Sequence, residues 1–421
     1  MTTRPCPSVN LISLGCKVNQ VEGEEIVRRL EAAGWRRVET DADVCIVNTC
    51  TVTAEADRKS RKLIRKLIRE HPSARVVVTG CYAETGAEAV AAIPGVALVI
   101  PQRHKDDAAA RIAQLLGQLC PRAAVVPEMA ARERTFVKVQ DGCRHFCSYC
   151  IVPFARSVVS SKSVEEVVRE IAAAAEGGAQ EVVLTGIRLG AYGGETGETL
   201  AGLLHALREI KVARLRLSSL DPGDLNEDLI REMADHPRLC RHLHLPLQSG
   251  DDHILTLMNR GYTSGDFIAW VARWREVWPD VALTTDVMVG FPGETEAAFQ
   301  RTCQVVEETG CSRLHVFAYS RRPGTAAAAL PDQVAESIKA ARSRELIALG
   351  KTLFRHYAEP LVGREVEVLF EQRDPATGAW EGLTESYVRV LAADARDWSG
   401  RFARVRVDDV ARDHVTGSIV A

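Results

Sequence analysis

The sequence predicts an α/β protein in three parts: an open parallel sheet, a barrel of six βα units and a small terminal β-barrel. Three observations carry that prediction. Over residues 8–117 and again over 133–355, short β-branched runs are each followed by a helical pattern, the chain order of a parallel sheet. The second stretch repeats this unit six times, which suggests a barrel, open or closed, in place of a flat sheet. From 360 to 421 helices give way to short alternating runs, the pattern of a small antiparallel β-barrel.

The elements follow in order. VNLISL (9–14) precedes a helix-like stretch through Leu30, and CIVN (45–48) precedes ADRKSRKLIRKLIRE (56–70). ARVVVT (74–79) and ALVI (97–100) complete the first sheet, and a last helix runs to about Leu116. QLCPRAAVVPEMAAR (118–132), with two prolines and no clear period, reads as a linker. The central strands are TFVKVQ (135–140), EVVLTG (181–186), RLRLSS (214–219), LHLPL (243–247), LTTDVMVG (283–290) and RLHVFAY (313–319). The third part holds short alternating runs such as REVEVLFEQ (364–372), SYVRVLAA (386–393) and RFARVRVDD (401–409).

A chain of 421 residues suggests two or three domains, and 46% hydrophobic with 26% charged residues gives each a core. The net charge of −3 argues against a protein that coats nucleic acid, so any such site is a local basic patch. MTTRPCPSVN lacks the apolar core of a signal peptide. The longest apolar run, AVAAIPGVALVI (89–100), is broken by Pro94 and Gly95 and falls short of a membrane span, so a cytoplasmic location without membrane contact is expected. Twelve cysteines in a reducing compartment then read as metal or redox ligands.

Cys143, Cys147 and Cys150 occupy one short loop, GCRHFCSYC, after the first strand of the central part. This places them at the C-terminal mouth, where barrel enzymes carry their sites. A structural zinc ion wants four ligands, and His145 is the local candidate for a fourth. A [4Fe-4S] cluster normally takes four thiolates, and three leave one iron open to a substrate or cofactor. Cys16, Cys50 and Cys81 each follow a predicted strand by one to three residues. Strand ends of a parallel sheet share one edge, so these thiols meet there as a second three-thiolate site, with Gly15 and Gly80 permitting close turns. The alternative is three unrelated turn cysteines. Cys6, Cys45, Cys120, Cys240, Cys303 and Cys311 read as small buried hydrophobes.

GCKVNQ (15–20), VNTCTVT (47–53), TGCYAE (80–85) and CRHFCSYC (143–150), followed by a small β domain, resemble the radical S-adenosylmethionine (SAM) methylthiotransferase family over nearly the whole chain. The resemblance implies a methylthiotransferase domain at 8–117, a radical-SAM core of partial (β/α)6 form at 133–355 and a TRAM-like RNA-binding domain at 360–421. It also implies two [4Fe-4S] clusters with SAM as cofactor, tRNA as substrate, a low-potential electron donor and a sulfur source. GCKVNQ and TGIRLGAYG (185–193) are similar to the branch that adds a methylthio group to carbon 2 of N6-threonylcarbamoyladenosine at tRNA position 37. Ser157 and Ser160 stand where relatives commonly have Gly and Arg, and Arg188 where many of this branch have His.

The C–H bond at carbon 2 lies beyond general acid–base help worth ~10²–10⁴-fold, which makes radical abstraction the plausible route. The resemblance implies that one SAM gives a methyl group to a sulfur at the first site, and another, at Cys143/Cys147/Cys150, yields the hydrogen-abstracting radical. Tyr149 is then expected against the adenine of SAM. The SAM contacts are expected at later strand ends: Thr185, Gly186, Ser218, Ser219, His244, Gln248 and Gly290. Structural alternatives are turns at Gly186 and Gly290, a helix cap at Ser218 and a core role for His244.

Arg58, Lys59, Arg61, Lys62, Arg65, Lys66 and Arg69 give one helix a cationic face over a buried stripe of Leu63, Ile64, Leu67 and Ile68. That face suits tRNA phosphates, the alternative being a solvated surface. Residues 360–421 hold eight basic against eleven acidic residues, so the terminal part is a weaker clamp, with Arg401, Arg404 and Arg406 near Phe402 and Trp398 as its contacts. Other functions consistent with the motifs are methylthiolation of N6-isopentenyladenosine or of a ribosomal-protein aspartate, and a non-catalytic iron–sulfur carrier. A carrier needs no SAM-sized mouth such as HLPLQSG and DVMVGFPGE provide.

Overall fold

The computed structural model describes residues 6–117 and 133–420, and the expected linker with Cys120 lies outside them. The N-terminal body is a parallel sheet of β1 (Ser8–Ser13), β2 (Arg36–Arg37), β3 (Val44–Thr49), β4 (Arg75–Gly80) and β5 (Val96–Pro101), in the order β2-β1-β3-β4-β5. Every residue of β3 is buried, as a central strand covered on both faces requires. Helix α1 (Lys17–Ala32) packs Ile26, Val27 and Leu30 on one face. Helix α2 (Ala54–Glu70) packs Ile64 and Leu67 on the other, with Leu63 and Ile68 only partly covered. Thr53 caps α2 by accepting a hydrogen bond from the Ala56 N–H.

The central body has six parallel strands: β6 (Arg134–Asp141), β8 (Glu181–Gly186), β9 (Arg214–Leu217), β10 (His242–His244), β11 (Ala282–Val289) and β12 (Arg313–Ala318). A two-residue β7 (Ser160–Ser161) pairs antiparallel with β6. Hydrogen bonding divides the strands into β7-β6-β8-β9 and β10-β11-β12. The sets are joined where Leu215 N–H donates to Arg238 O and Cys240 N–H to Leu215 O, both at 2.8 Å. No pairing among the described residues joins β12 to β6, so the barrel is partial. Val137, Val139, Val182, Leu184, Leu215, Leu217, Leu243 and Val287 face the surrounding helices in one core. The period of two then turns Phe136, Lys138, Gln140, Arg216, His242, His244, Asp286 and His315 inward, giving the barrel a polar interior.

The N-terminal body covers the gap. Arg322, just past β12, donates to the Asp57 carboxylate at 2.7 Å and to the Thr51 hydroxyl at 2.8 Å. Across the gap, Lys138 of β6 donates to Glu22 of α1 at 2.9 Å.

The C-terminal body is a closed barrel of β13 (Glu365–Arg373), β14 (Trp380–Thr384), β15 (Arg389–Ala392), β16 (Phe402–Val410) and β17 (Val415–Val420). The expected small β-barrel is present, with β14 and β17 beside the three quoted runs, and one pairing departs from the antiparallel expectation: β15 pairs with β17 in parallel. Arg214 donates to Leu383 O and Glu367 O, and Arg216 to Thr384 O and Glu385 O, tying this body to the start of β9. Tyr387, at φ +65°, stacks on His242 with ring centroids 4.9 Å apart. It closes the floor of the central barrel.

Candidate active site

The two cysteine sets meet at the junction of the first two bodies. Gly80 N-caps the short helix that begins at Cys81, and Gly15 precedes Cys16 at φ +94°. A side chain at Gly15 would place its first carbon 2.9 Å from the Cys50 Sγ, and one at Gly80 would lie 2.4 Å from Thr49 O. Only glycine lets these turns close over Cys50. Cys16, Cys50 and Cys81 are near enough for each of the first two thiols to feel the charge of Cys81. Burial pushes the Cys50 thiol up to about 11.

The second set sits beyond β6. Cys143, Cys147 and Cys150 interact electrostatically, and burial pushes Cys150 up to about 12. Thiols so raised bind metal only by giving up their protons to it, so loading this site is coupled to proton release. Arg156 stands between the sets. Its Nε donates to Cys81 Sγ at 3.3 Å, while its backbone oxygen accepts from the Cys143 N–H at 3.4 Å. Its Nη atoms donate to Glu22 at 2.8 Å and to Asp141 at 2.7 Å. Arg260 does the same for the other set: Nη1 lies 3.3 Å from Cys147 Sγ and Nη2 2.5 Å from Asp221. Each trio therefore has one charged guanidinium donor on a sulfur.

The donor geometry fits a cluster better than a single ion. Thiolates on one tetrahedral zinc lie about 3.8 Å apart. Among the described residues, the only three-donor set drawn within 4.8 Å is His244, Asp286 and His315, and it contains no cysteine. His145 lies with Nδ1 3.0 Å from Arg188 Nη1, and Arg188 is anchored on Asp224. Burial and Arg188 push the His145 ring below its ordinary value, and since a guanidinium only donates, Nδ1 is the acceptor in this contact.

The expected SAM contacts divide by surroundings. Tyr149 packs edge-on to Phe291, with centroids 6.4 Å apart, and Thr185 is buried at the end of β8. The Ser218 hydroxyl is buried without a hydrogen-bond partner among the described residues, and Asp221 caps the turn that follows, so Ser218 is no helix cap. Gln248 turns at φ +64° while its backbone pairs with Asp286 and Met288. Gly186 packs on Gln140. At Gly290 the Lys339 chain fills the space beside the Cα, and the Gly290 N–H donates to Glu294 at 2.7 Å. His244 donates or accepts at Thr284 over 2.8 Å and meets Asp286 at 3.3 Å; His315 meets the same carboxylate at 3.0 Å. Burial would raise Asp286, but the two imidazoles outweigh it and hold the carboxyl well below its usual range.

Arg58, Arg61, Lys62, Arg65, Lys66 and Arg69 line one groove on α2. Arg61 donates to the Tyr82 hydroxyl at 2.7 Å, linking this face to the residue after Cys81. Arg58 pairs with Glu55, whereas Lys62 and Arg65 make no hydrogen bond or ion pair among the described residues. In the C-terminal body the half-buried Phe402 lies under the Arg214 guanidinium at 4.6 Å, which ties it to the central barrel. Cys45, Cys240, Cys303 and Cys311 are buried as expected, but Cys6 is exposed.

Sequence reasoning missed Lys17, Glu22, Arg156, Asp221, Arg260, Asp286, His315 and Tyr387 as site residues. Two signals stood near them: Lys17 is next to Cys16, and His244 lies in the quoted HLPLQSG.

A partial parallel barrel with a three-cysteine loop after its first strand defines the radical-SAM class of fold. Residues 137–306 match the Radical SAM superfamily, and residues 8–101 the Uncharacterized protein family UPF0004. The chain is similar to the threonylcarbamoyladenosine tRNA methylthiotransferase MtaB of Bacillus subtilis strain 168, at 36% identity over 94% of this chain and 92% of that one. It is also similar to the tRNA-2-methylthio-N(6)-dimethylallyladenosine synthase of Methylacidiphilum infernorum isolate V4, at 31% identity over 95% and 92%. Among solved structures, the radical SAM methyltransferase TsrM of Kitasatospora setae shares the fold, with TM-score 0.57 and 16% identity over 76% of this chain and 77% of that one. The chain belongs to the radical-SAM methylthiotransferase family.

Proposed function

We propose that this enzyme converts N6-threonylcarbamoyladenosine at tRNA position 37 to its 2-methylthio derivative, using SAM and two [4Fe-4S] clusters. Cys143, Cys147 and Cys150 would hold the SAM-cleaving cluster, and Cys16, Cys50 and Cys81 the second. The observation that carries this reading is Arg156, which touches Cys81 with its side chain and Cys143 with its backbone and so sets the two trios at opposite ends of one residue. Bound there, the clusters supply the electron that opens SAM and a site for the sulfur that is transferred. The chain's own residues do the rest. Arg156 and Arg260 stabilise thiolate charge by hydrogen bonding. The polar interior between the mouth and Tyr387 receives the base, with Tyr149, Thr185 and Ser218 at the SAM end. The α2 cations meet RNA phosphates. The domain limits 8–117, 133–355 and 360–421 serve these three roles in turn. A low-potential electron donor and a sulfur source act with the enzyme in the cytoplasm.

The test is anaerobic reconstitution followed by nucleoside mass spectrometry. Wild type should bind about eight irons, and each triple Cys→Ala variant about four. tRNA from cells lacking the gene should lose 2-methylthio-N6-threonylcarbamoyladenosine. Loss of the isopentenyl counterpart in its place would overturn the substrate assignment.

A further inference from the structure

Lys17 follows Cys16 directly, yet its side chain leaves the N-terminal body. The Nζ stands 5.6 Å from the centroid of Phe136 and 5.9 Å from that of Tyr387, one ring from the wall of the central barrel and one from its floor. Arg134, Arg216 and His242 share its electrostatic surroundings. The two arginines are committed: Arg216 to Glu181 at 2.7 Å, and Arg134 to Glu371 at 3.4 Å. Lys105 and Lys138 are both bonded to Glu22. Lys17 alone of these cations makes neither an ion pair nor a hydrogen bond among the described residues, and the carboxylate that acts on it, Glu181, is held by Arg216. On the same inner face His315 meets Asp286 through Nδ1, and its Nε2 makes no hydrogen bond among the described residues.

A lysine turned inward without a counter-ion is costly unless something binds it. Aromatic walls recover a little of that cost, and they also thin the water that would otherwise screen a charge partner. The two groups of relatives are named for adenosines that differ at this very point. A threonylcarbamoyl group carries a carboxylate, whereas a dimethylallyl group is a hydrocarbon. Carbon 2 and carbon 6, which bears the N6 nitrogen, flank the same ring nitrogen, so a base presented to the Cys16 set for reaction at carbon 2 holds its N6 side chain only a few ångströms away.

We propose that Lys17 binds the carboxylate of the substrate's N6 side chain, with the His315 Nε2 facing the same group, and thereby selects an acidic N6 substituent over an uncharged one. This rests on the substrate reading given above. A salt link of this kind is made with the substrate and lost with an analogue of equal shape and no charge, which leaves the ammonium unpaired.

The experiment uses reconstituted holoenzyme and two anticodon stem-loops, one with the threonylcarbamoyl acid and one with its carboxamide. Wild type should favour the acid in kcat/KM by roughly 10- to 100-fold, the range for a hydrogen bond to a charged group. Lys17→Met should abolish that preference, mainly through KM, and Lys17→Arg should retain part of it. Iron content and thermal melting report whether each variant folds, and the acid-to-amide ratio of the wild type needs no variant. If wild type turns over both stem-loops without preference, or if Lys17→Met keeps the wild-type ratio, Lys17 is only a strut between two rings and the proposal fails alone. If wild type leaves the acid stem-loop unmodified, the substrate reading fails with it.

Discussion

At the residue scale, hydrogen bonds to cluster sulfurs are a main lever on potential. Arg156 and Arg260 each place a cationic donor 3.3 Å from a cysteine sulfur, and a positive donor favours the more negative, reduced cluster. Arg156→Gln should therefore lower the midpoint potential of the N-terminal cluster and Arg260→Gln that of the other, as read by redox titration with electron paramagnetic resonance. An unchanged potential in both would show that these contacts are only structural. Gly15 offers a steric test. Its positive φ and the 2.9 Å approach to Cys50 leave no room for a methyl group. Gly15→Ala should lose the N-terminal cluster and reduce iron from about eight to about four per chain, with the barrel cluster retained.

At the element scale, α2 combines a buried stripe with a groove of cations. Lys62 and Arg65, which make no hydrogen bond or ion pair among the described residues, are the ones to reverse, because Arg61 is engaged with Tyr82. Changing both to Glu should weaken tRNA binding and reduce the slope of log K against log salt by roughly two. A slope left unchanged would make this a solvated face. The helix itself was legible from its period of apolar residues. The C-terminal strands were legible only in part. WEGLT and VTGSIV lack the clean alternation of β13 and β16 because glycines stand where backbones cross closely: a side chain at Gly382 would meet Leu369 O at 2.4 Å. Their pairing follows from closing the barrel, which no local pattern encodes.

At the scale of the whole molecule, Glu22 is the charge that holds two bodies together. It bonds Lys105, Lys138 and Arg156, and its carboxyl is nearly inaccessible. Burial would raise its pKa, but the cations around it, Lys105 first, hold it well below the usual range. A depressed carboxylate contributes stability that is complete above its unfolded value, about 4.3, and is lost as pH falls toward the folded one. Glu22→Gln should cost about 3–5 kcal/mol at neutral pH, since it strands buried cations. It should also flatten the loss of stability between pH 5 and pH 3 that urea unfolding finds in the wild type. An equally steep acid limb in the variant would place the sensitive carboxylate elsewhere.

The two cysteine trios could be read from the chain alone because their evidence is local. One lies within eight residues, and the other repeats a single position, the end of a strand, three times. Secondary-structure period determines where such residues point. What only the tertiary structure decided is which charges meet: Arg156 with Glu22 across 134 residues, and Lys17 entering a barrel floored by Tyr387 from the far end of the chain. A charge has no periodicity and can pair with any opposite charge, so its partner is selected by packing between bodies that each fold on their own local signals.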